Sequence, residues 1–197
     1  MTLKQYIKQT YKEGQIFSFK DLPESFRKPS SVVQLSRFVK AQEIGKLMRG
    51  VYYVPRNSEL FGKMPPYSYS ILEFVCKKTG GYLSGHSLYN EMGFTEQVPT
   101  VREVFCKQRL RPVTILGTRI KFQKVQHRIV KKAVYEMRIL DALADSGHIT
   151  GTTEKVALER IGRLVKNLDK VRQQRILNVA RYYPIDVRDK IRIIITR

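Results

Sequence analysis

The first forty residues carry hydrophobic patterns that predict helices. Residues 3–12 place leucine, tyrosine and isoleucine side chains on one helical face and lysines outside it, and Gly14 ends the pattern. The following segment, "IFSFKDLPES", predicts a short helix that is capped by Ser18 and ended by Pro23. The chain therefore begins with two predicted helices, one long and one short.

A third predicted helix lies in "KPSSVVQLSRFVKAQEIG". Either Ser30 or Ser31 can cap it, and it runs to about Gln42. Its apolar stripe is expected at Val32, Leu35, Phe38 and Val39. This stripe predicts that the helix packs on a core with one face and leaves the other face exposed.

The polar face of this helix carries groups suited to reading a DNA major groove. Gln34 can pair with adenine and Arg37 with guanine, while serine hydroxyls and helix amides can hold phosphate. Lys40 lies beside them. The same pattern also fits a solvated helix face, so alone it is a weak signal.

The next nine residues, "LMRGVYYVP", predict the end of a β-hairpin. Two short apolar runs meet at Arg49-Gly50, where glycine suits a tight turn, and Pro55 ends the second run. The order helix, short helix, helix, hairpin is typical of a winged helix-turn-helix, which binds DNA or only packs against another protein. The expected DNA contacts are Lys28, Ser30, Ser31, Gln34, Arg37, Lys40 and Arg49.

Loop-forming residues at 56–68 indicate a linker, so we predict a winged helix-turn-helix domain at 1–62 and a second domain at 63–197. The second domain is expected to be mixed α/β and mostly helical, with a hairpin turning at Gly117-Thr118. The residues after Tyr183 fit either a strand or a helix. The predicted fold class is α+β.

A second basic surface is expected in residues 107–132, where nine basic residues and no acidic ones occur. Strand alternation places Arg119 and Lys121 on one face. Such a face could bind a nucleic acid or an acidic partner, or it could simply be exposed to solvent. Its expected members are Arg109, Arg111, Arg119, Lys121, Lys124 and Arg128.

The charge balance strengthens the nucleic-acid interpretation. The chain has 37 Lys plus Arg against 17 Asp plus Glu, a formal net charge of +20. Such an excess favours a polyanionic partner. Since no apolar run reaches membrane-spanning length and no signal peptide precedes the first helix, we expect a cytoplasmic protein without a membrane partner.

No constellation for catalysis, metal binding or cofactor binding is evident. The three histidines, His86, His127 and His148, lack partners at metal-ligand spacing. Ser84 in "GYLSG" does not match a nucleophile elbow and is interpreted as a helix cap. Phosphate-loop and dinucleotide-binding motifs are missing. We expect no enzyme activity, no metal and no cofactor.

From Leu3 to about Tyr183 the chain resembles the AbiEi-like antitoxins of bacterial type IV toxin–antitoxin systems. The matching residues are Arg49, Gly50, Val51 and Tyr52 in the hairpin, and Ser84, Gly85, Gly93, Thr95, Gln97, Val98 and Pro99 in the second domain. The chain departs from the family at Ser87-Leu88 and at Cys106. These departures lie outside the predicted DNA-contacting helix.

The resemblance implies a winged helix that binds inverted repeats in double-stranded DNA near its own promoter and represses it. It also implies a second domain that counteracts a nucleotidyltransferase-like toxin, contacted directly or opposed only functionally. Three alternatives stay open: a stand-alone transcriptional regulator without a toxin partner, an RNA-binding or protein-binding module that uses residues 107–132, and an enzyme of an unrecognised type.

Overall fold

The computed structural model describes residues 1–196 of the 197-residue chain and confirms the α+β class. The helices are α1 (Leu3–Thr10), α2 (Pro29–Lys40), α3 (Ser68–Thr79), α4 (His86–Glu91), α5 (Val134–Ala144), α6 (Glu154–Lys166), α7 (Lys170–Ala180) and α8 (Ile185–Thr196). The strands are β1 (Ile16–Ser18), β2 (Gly45–Met48), β3 (Val51–Tyr53), β4 (Arg56–Ser58), β5 (Gly62–Met64), β6 (Tyr82–Ser84), β7 (Val101–Cys106), β8 (Val113–Ile115) and β9 (Thr118–Lys124).

The chain divides into two compact units. The first comprises residues 1–75 with 114–118, and the second comprises residues 76–113 with 119–197. The predicted domain boundary after residue 62 lies within β5, and the division into 1–62 and 63–197 stays a prediction.

A three-stranded sheet in the order β1-β3-β2 organises the first unit, with both pairings antiparallel. Helices and sheet share one core of buried side chains: Leu3, Ile7, Phe17, Leu22, Leu35, Ile44 and Tyr52. The predicted short helix is instead two successive 3-10 turns, Phe19–Asp21 and Glu24–Phe26. Ser18 is its N-cap as predicted, and its backbone N–H donates to the Asp21 carboxylate over 2.7 Å.

The structure corrects the predicted start and end of the third helix. α2 begins at Pro29, with Lys28 as the N-cap, and it ends at Lys40. Neither Ser30 nor Ser31 is the cap. Proline suits the first helical position because its φ is fixed near the helical value. An N–H at that position would have no partner within the helix, so proline loses no hydrogen bond there.

The segment predicted as a linker forms a second hairpin, in which β4 and β5 pair antiparallel. Its residues are held by distant parts of the first unit. The Asn57 backbone N–H donates to the Glu13 carboxylate over 3.2 Å, and Lys63 donates to the Gln42 carbonyl over 2.6 Å. The local pattern of residues 56–68 does not reveal these hydrogen bonds, because their acceptors lie far away in the sequence, at residues 13 and 42.

The strands β6 to β9 form a mixed sheet in the order β6-β7-β9-β8, and the helices α4 to α8 lie in the second unit. β6 pairs antiparallel and β9 parallel with β7. The β8–β9 hairpin turns at Leu116-Gly117, both with positive φ, one residue before the predicted turn. The segment after Tyr183 is the helix α8, which settles the choice between strand and helix.

Within residues 1–196, no helix has both the length and the apolar character that crossing a bilayer requires.

Candidate nucleic-acid interface

One face of α2 is anchored in the core of the first unit. Leu35 is fully buried and Ser31 is 5% exposed, and the half-buried Phe38 and Val39 pack against the same core. These positions recur every three or four residues, which is the spacing of a single helix face. Burial of this face fixes which side chains of α2 point to solvent.

The opposite face of α2 is a continuous exposed stripe. At spacings of three and four residues it consists of Ser30, Val33, Arg37 and Lys40. Gln34 is exposed beside it. The stripe and Gln34 together offer an amide and a guanidinium, groups that can pair with base edges, and a hydroxyl, which can hold phosphate.

The sequence prediction missed Val33. Its side chain is 54% exposed on the stripe between Ser30 and Arg37. An exposed valine in a polar stripe is suited to contact the thymine methyl group in a major groove. The sequence could have indicated this exposure, because Val33 lies outside the apolar stripe that the helical period predicts. Val32, expected to be part of that apolar stripe, is 48% exposed.

Ser31 is the predicted phosphate contact that the structure buries. Its side chain is buried, and its backbone N–H donates to the Lys28 carbonyl over 3.0 Å. It therefore offers a ligand neither an exposed hydroxyl nor an unoccupied N–H. The other six predicted DNA-contacting residues, Lys28, Ser30, Gln34, Arg37, Lys40 and Arg49, are all exposed.

The cations among these residues are not neutralised within the described part of the chain. Lys28, Arg37, Lys40 and Arg49 each lack a carboxylate at ion-pair distance there. An unpaired exposed cation retains its full attraction for a polyanion. The exposed stripe and the hairpin tip thus present uncompensated positive charge.

The hairpin that carries Arg49 is specified by two glycines with different roles. Gly50 has φ +71°, a left-handed conformation that glycine adopts without strain, and a Cβ there would meet no atom. A Cβ on Gly45 would instead overlap the Tyr53 ring. Gly50 therefore sets the turn, Gly45 admits the aromatic ring, and Arg49 is left exposed at the tip.

All six residues of the predicted second basic surface are exposed. Arg119 and Lys121 alternate with the buried Ile120 along β9, as the period-2 pattern predicts. Arg109 and Arg111 lie between β7 and β8. Arg128 follows β9 and stands 5.5 Å over the Tyr182 ring. The structure thus places Arg128 beside Tyr182, which follows α7 and which the sequence prediction did not include.

A buried polar cluster in the second unit centres on Asp141 of α5. Three hydroxyl groups donate to its carboxylate: Tyr82 over 2.8 Å, Ser84 over 2.7 Å and Tyr183 over 2.8 Å. His127 stacks on Tyr183 with ring centroids 4.1 Å apart. Ser84 is therefore not a helix cap, which corrects the prediction; Gly85 is the residue that precedes α4.

Burial dominates the electrostatics of this cluster. It raises the pKa of Asp141 to about 6, although the hydrogen bonds from Ser84, Tyr82 and Tyr183 lower it. Burial, together with the charge of Lys107, lowers the pKa of His127 to about 4. The pKa of Tyr183 is raised far above its ordinary value by burial and by the Asp141 charge. At neutral pH the cluster therefore contains an ionised Asp141 and a neutral His127.

The chemistry of the Asp141 cluster is that of a satisfied structural network. Ser84 is fully buried, and its hydroxyl points to a carboxylate that already accepts two other hydroxyls. In residues 1–196, no three His, Cys, Asp or Glu side chains are grouped as metal ligands. The cluster thus ties β6 and α5 to Tyr183, in the segment between α7 and α8.

Comparison with known proteins places the chain in a family without identifying its activity. No curated protein matches it. A family model described as "Family of unknown function (DUF6088)" matches residues 2–176, which is most of the chain. The chain therefore belongs to the DUF6088 family.

Proposed function

We propose that this protein is a sequence-specific double-stranded DNA-binding transcriptional regulator. The observation that carries the proposal is the exposed stripe of α2, where uncompensated cations, an amide and an apolar side chain share one rigid helix face. These are the groups that distinguish base pairs in a major groove and hold the phosphates beside it.

The order of elements in the first unit supports a winged helix-turn-helix as the DNA-binding fold. A helix, a strand, two helical turns, a second long helix and a hairpin follow one another, and β1 pairs with β3, the second strand of that hairpin and the central strand of the sheet. In such a unit the second long helix enters the major groove and the hairpin tip contacts the backbone or the minor groove. α2 and Arg49 occupy those two positions in the element order.

Within this proposal each exposed group has a distinct role. Gln34 and Arg37 contact base edges, and Val33 contacts a thymine methyl group. Ser30, Lys28, Lys40 and Arg49 hold the phosphate backbone. The backbone contacts supply affinity that depends on salt, and the contacts of Gln34, Arg37 and Val33 supply sequence preference.

The resemblance to AbiEi-like antitoxins extends the proposal to autorepression and to antitoxin activity against a nucleotidyltransferase-like toxin. The proposed role is not enzymatic, in keeping with the occupied oxygens of the Asp141 cluster. A gene for such a toxin next to this one, and restored growth when both are expressed together, support the antitoxin role. A toxin that arrests growth equally with and without this protein would leave only the stand-alone regulator.

Selection from a random duplex library by the full-length protein tests the DNA-binding proposal. At roughly 0.15 M salt, where non-specific attraction is screened, we expect enrichment of one inverted repeat that also occurs upstream of the gene. Recovery of duplexes without any common sequence would overturn sequence-specific binding.

A further inference from the structure

The second unit contains a basic cleft that the DNA-binding proposal does not use. It has a volume of about 890 Å³ and is lined by two segments that are distant in sequence, residues 128–133 and 175–182. We call it the basic cleft. The cations that line it are Arg128, Lys131, Lys132, Arg175 and Arg181.

Most of this charge is not neutralised within residues 1–196. Of the five cations, Arg175 alone has a carboxylate partner there, the buried Glu136 at 3.5 Å. Lys131 and Lys132 are exposed and lack an ion-pair partner in that range. Like charges gathered around a concavity repel each other and concentrate anions from solution. The cleft is therefore suited to an anion of several charges.

An aromatic side chain accompanies these cations. The guanidinium of Arg181 lies 4.9 Å from the centre of the Tyr182 ring and donates to its hydroxyl over 2.9 Å. Arg128 stands over the same ring at 5.5 Å. The half-buried Tyr182 and the apolar Ile129 and Val179 line the same space. An aromatic ring beside guanidinium groups is the combination that binds a base together with its phosphates.

We propose that the basic cleft binds a nucleotide, with its phosphates on the four cations that lack an ion-pair partner in residues 1–196 and its base beside Tyr182. The volume lies in the range of small-ligand sites, whereas a duplex is contacted across a more extended surface. A free nucleoside triphosphate and the end of a single strand both present this chemistry. The site lies in the second unit and does not depend on DNA binding by α2.

Calorimetric titration of the full-length protein tests the proposal with three probes: ATP, inorganic tripolyphosphate and an unstructured single-stranded octanucleotide. The test variant is the double substitution Lys131→Glu and Lys132→Glu. Its matched control is Lys155→Glu with Lys166→Glu, which makes the same charge change on exposed lysines of α6. We expect the test variant to bind ATP or the octanucleotide about 10-fold more weakly or worse, and the control to stay within about 2-fold of wild type.

The three probes distinguish the source of the nucleotide. Tighter binding of ATP than of the octanucleotide supports a free nucleotide, and the reverse order supports a strand. Equal weakening in the test and control variants would overturn the site, because net charge alone would then explain binding. Tripolyphosphate binding as tightly as ATP would overturn the role of Tyr182. Thermal unfolding of each variant verifies that it is folded.

Discussion

The hydroxyl of Ser84 donates a 2.7 Å hydrogen bond to the carboxylate of Asp141, 57 residues later in the chain. Both residues are buried, so this bond joins the end of β6 to α5 in the interior of the second unit. A buried hydrogen bond to an ionised group contributes more than one between neutral groups. The pair is therefore a specific determinant of the stability of the second unit.

Ser84→Ala is expected to lower the free energy of unfolding by about 2 kcal/mol near neutral pH, because Asp141 loses one of three donors. It should also raise the pKa of Asp141 further above its ordinary value. Urea unfolding measures the first effect. Ser87→Ala is the matched control, since the Ser87 hydroxyl is buried without a partner in the described chain. Equal losses in the two variants would refute the role of the Ser84–Asp141 bond.

The pH dependence of stability should reveal that the half-buried His127 is neutral. Its pKa is lowered from 6.5 to about 4, so the unfolded chain binds this proton more readily and stability is lost as pH falls through that window. Asp141 acts in the opposite sense: its raised pKa of about 6 makes stability increase as pH falls from 6 towards 4.

His127→Gln separates these two effects. The difference in unfolding free energy between wild type and this variant should decrease by about 3 kcal/mol as pH falls from 6.5 to 4. Urea unfolding at several pH values gives this difference, from which the groups that do not contact His127 cancel. A constant difference across the window would show that His127 titrates in the folded protein as it does in the unfolded chain.

Local patterns in the sequence predicted what is held by local contacts. The helical period around Leu35 located α2, and the Arg49-Gly50 pair located the hairpin turn. Ser84 was misassigned as a cap because its true partner is 57 residues away. The β4–β5 hairpin was missed for a similar reason, since it is held by Glu13 and Gln42.

The charge pattern similarly predicted only part of the basic surfaces. A run of basic residues between 107 and 132 is visible in the sequence, and the structure leaves its predicted members exposed. The basic cleft joins the end of that run to Arg175 and Arg181 of a distant segment. Concavity of this kind arises from tertiary packing and has no signature in sequence composition.

Val33→Ala tests whether α2 contacts a thymine methyl group. We expect roughly 4-fold weaker binding to the upstream DNA, the loss associated with one or two buried methyl groups. Replacing thymine by uracil in the site should weaken the wild type and leave Val33→Ala unchanged. Val32→Ala is the control on the neighbouring, less exposed position. Equal sensitivity of wild type and Val33→Ala to uracil would exclude this contact.

Arg49→Ala is expected to weaken binding to specific and random duplexes by a similar factor, because the hairpin tip contacts phosphate and carries no base information. The slope of log affinity against log salt should decrease by about 0.9, the loss of one phosphate contact. Fluorescence anisotropy over a salt series measures the slope. Lys8→Ala, which removes one exposed charge from α1, should leave the slope unchanged.

Arg37→Ala provides the most direct test of sequence-specific binding by α2. Anisotropy titrations at fixed salt give the affinity of wild type and variant for the gene's own upstream DNA and for a shuffled duplex of the same composition. We predict that the variant loses about 10-fold or more of the preference for upstream DNA, while its affinity for shuffled DNA changes far less. Equal losses on both duplexes would contradict base contact by Arg37 and, with it, the assignment of α2 as the helix that determines sequence preference.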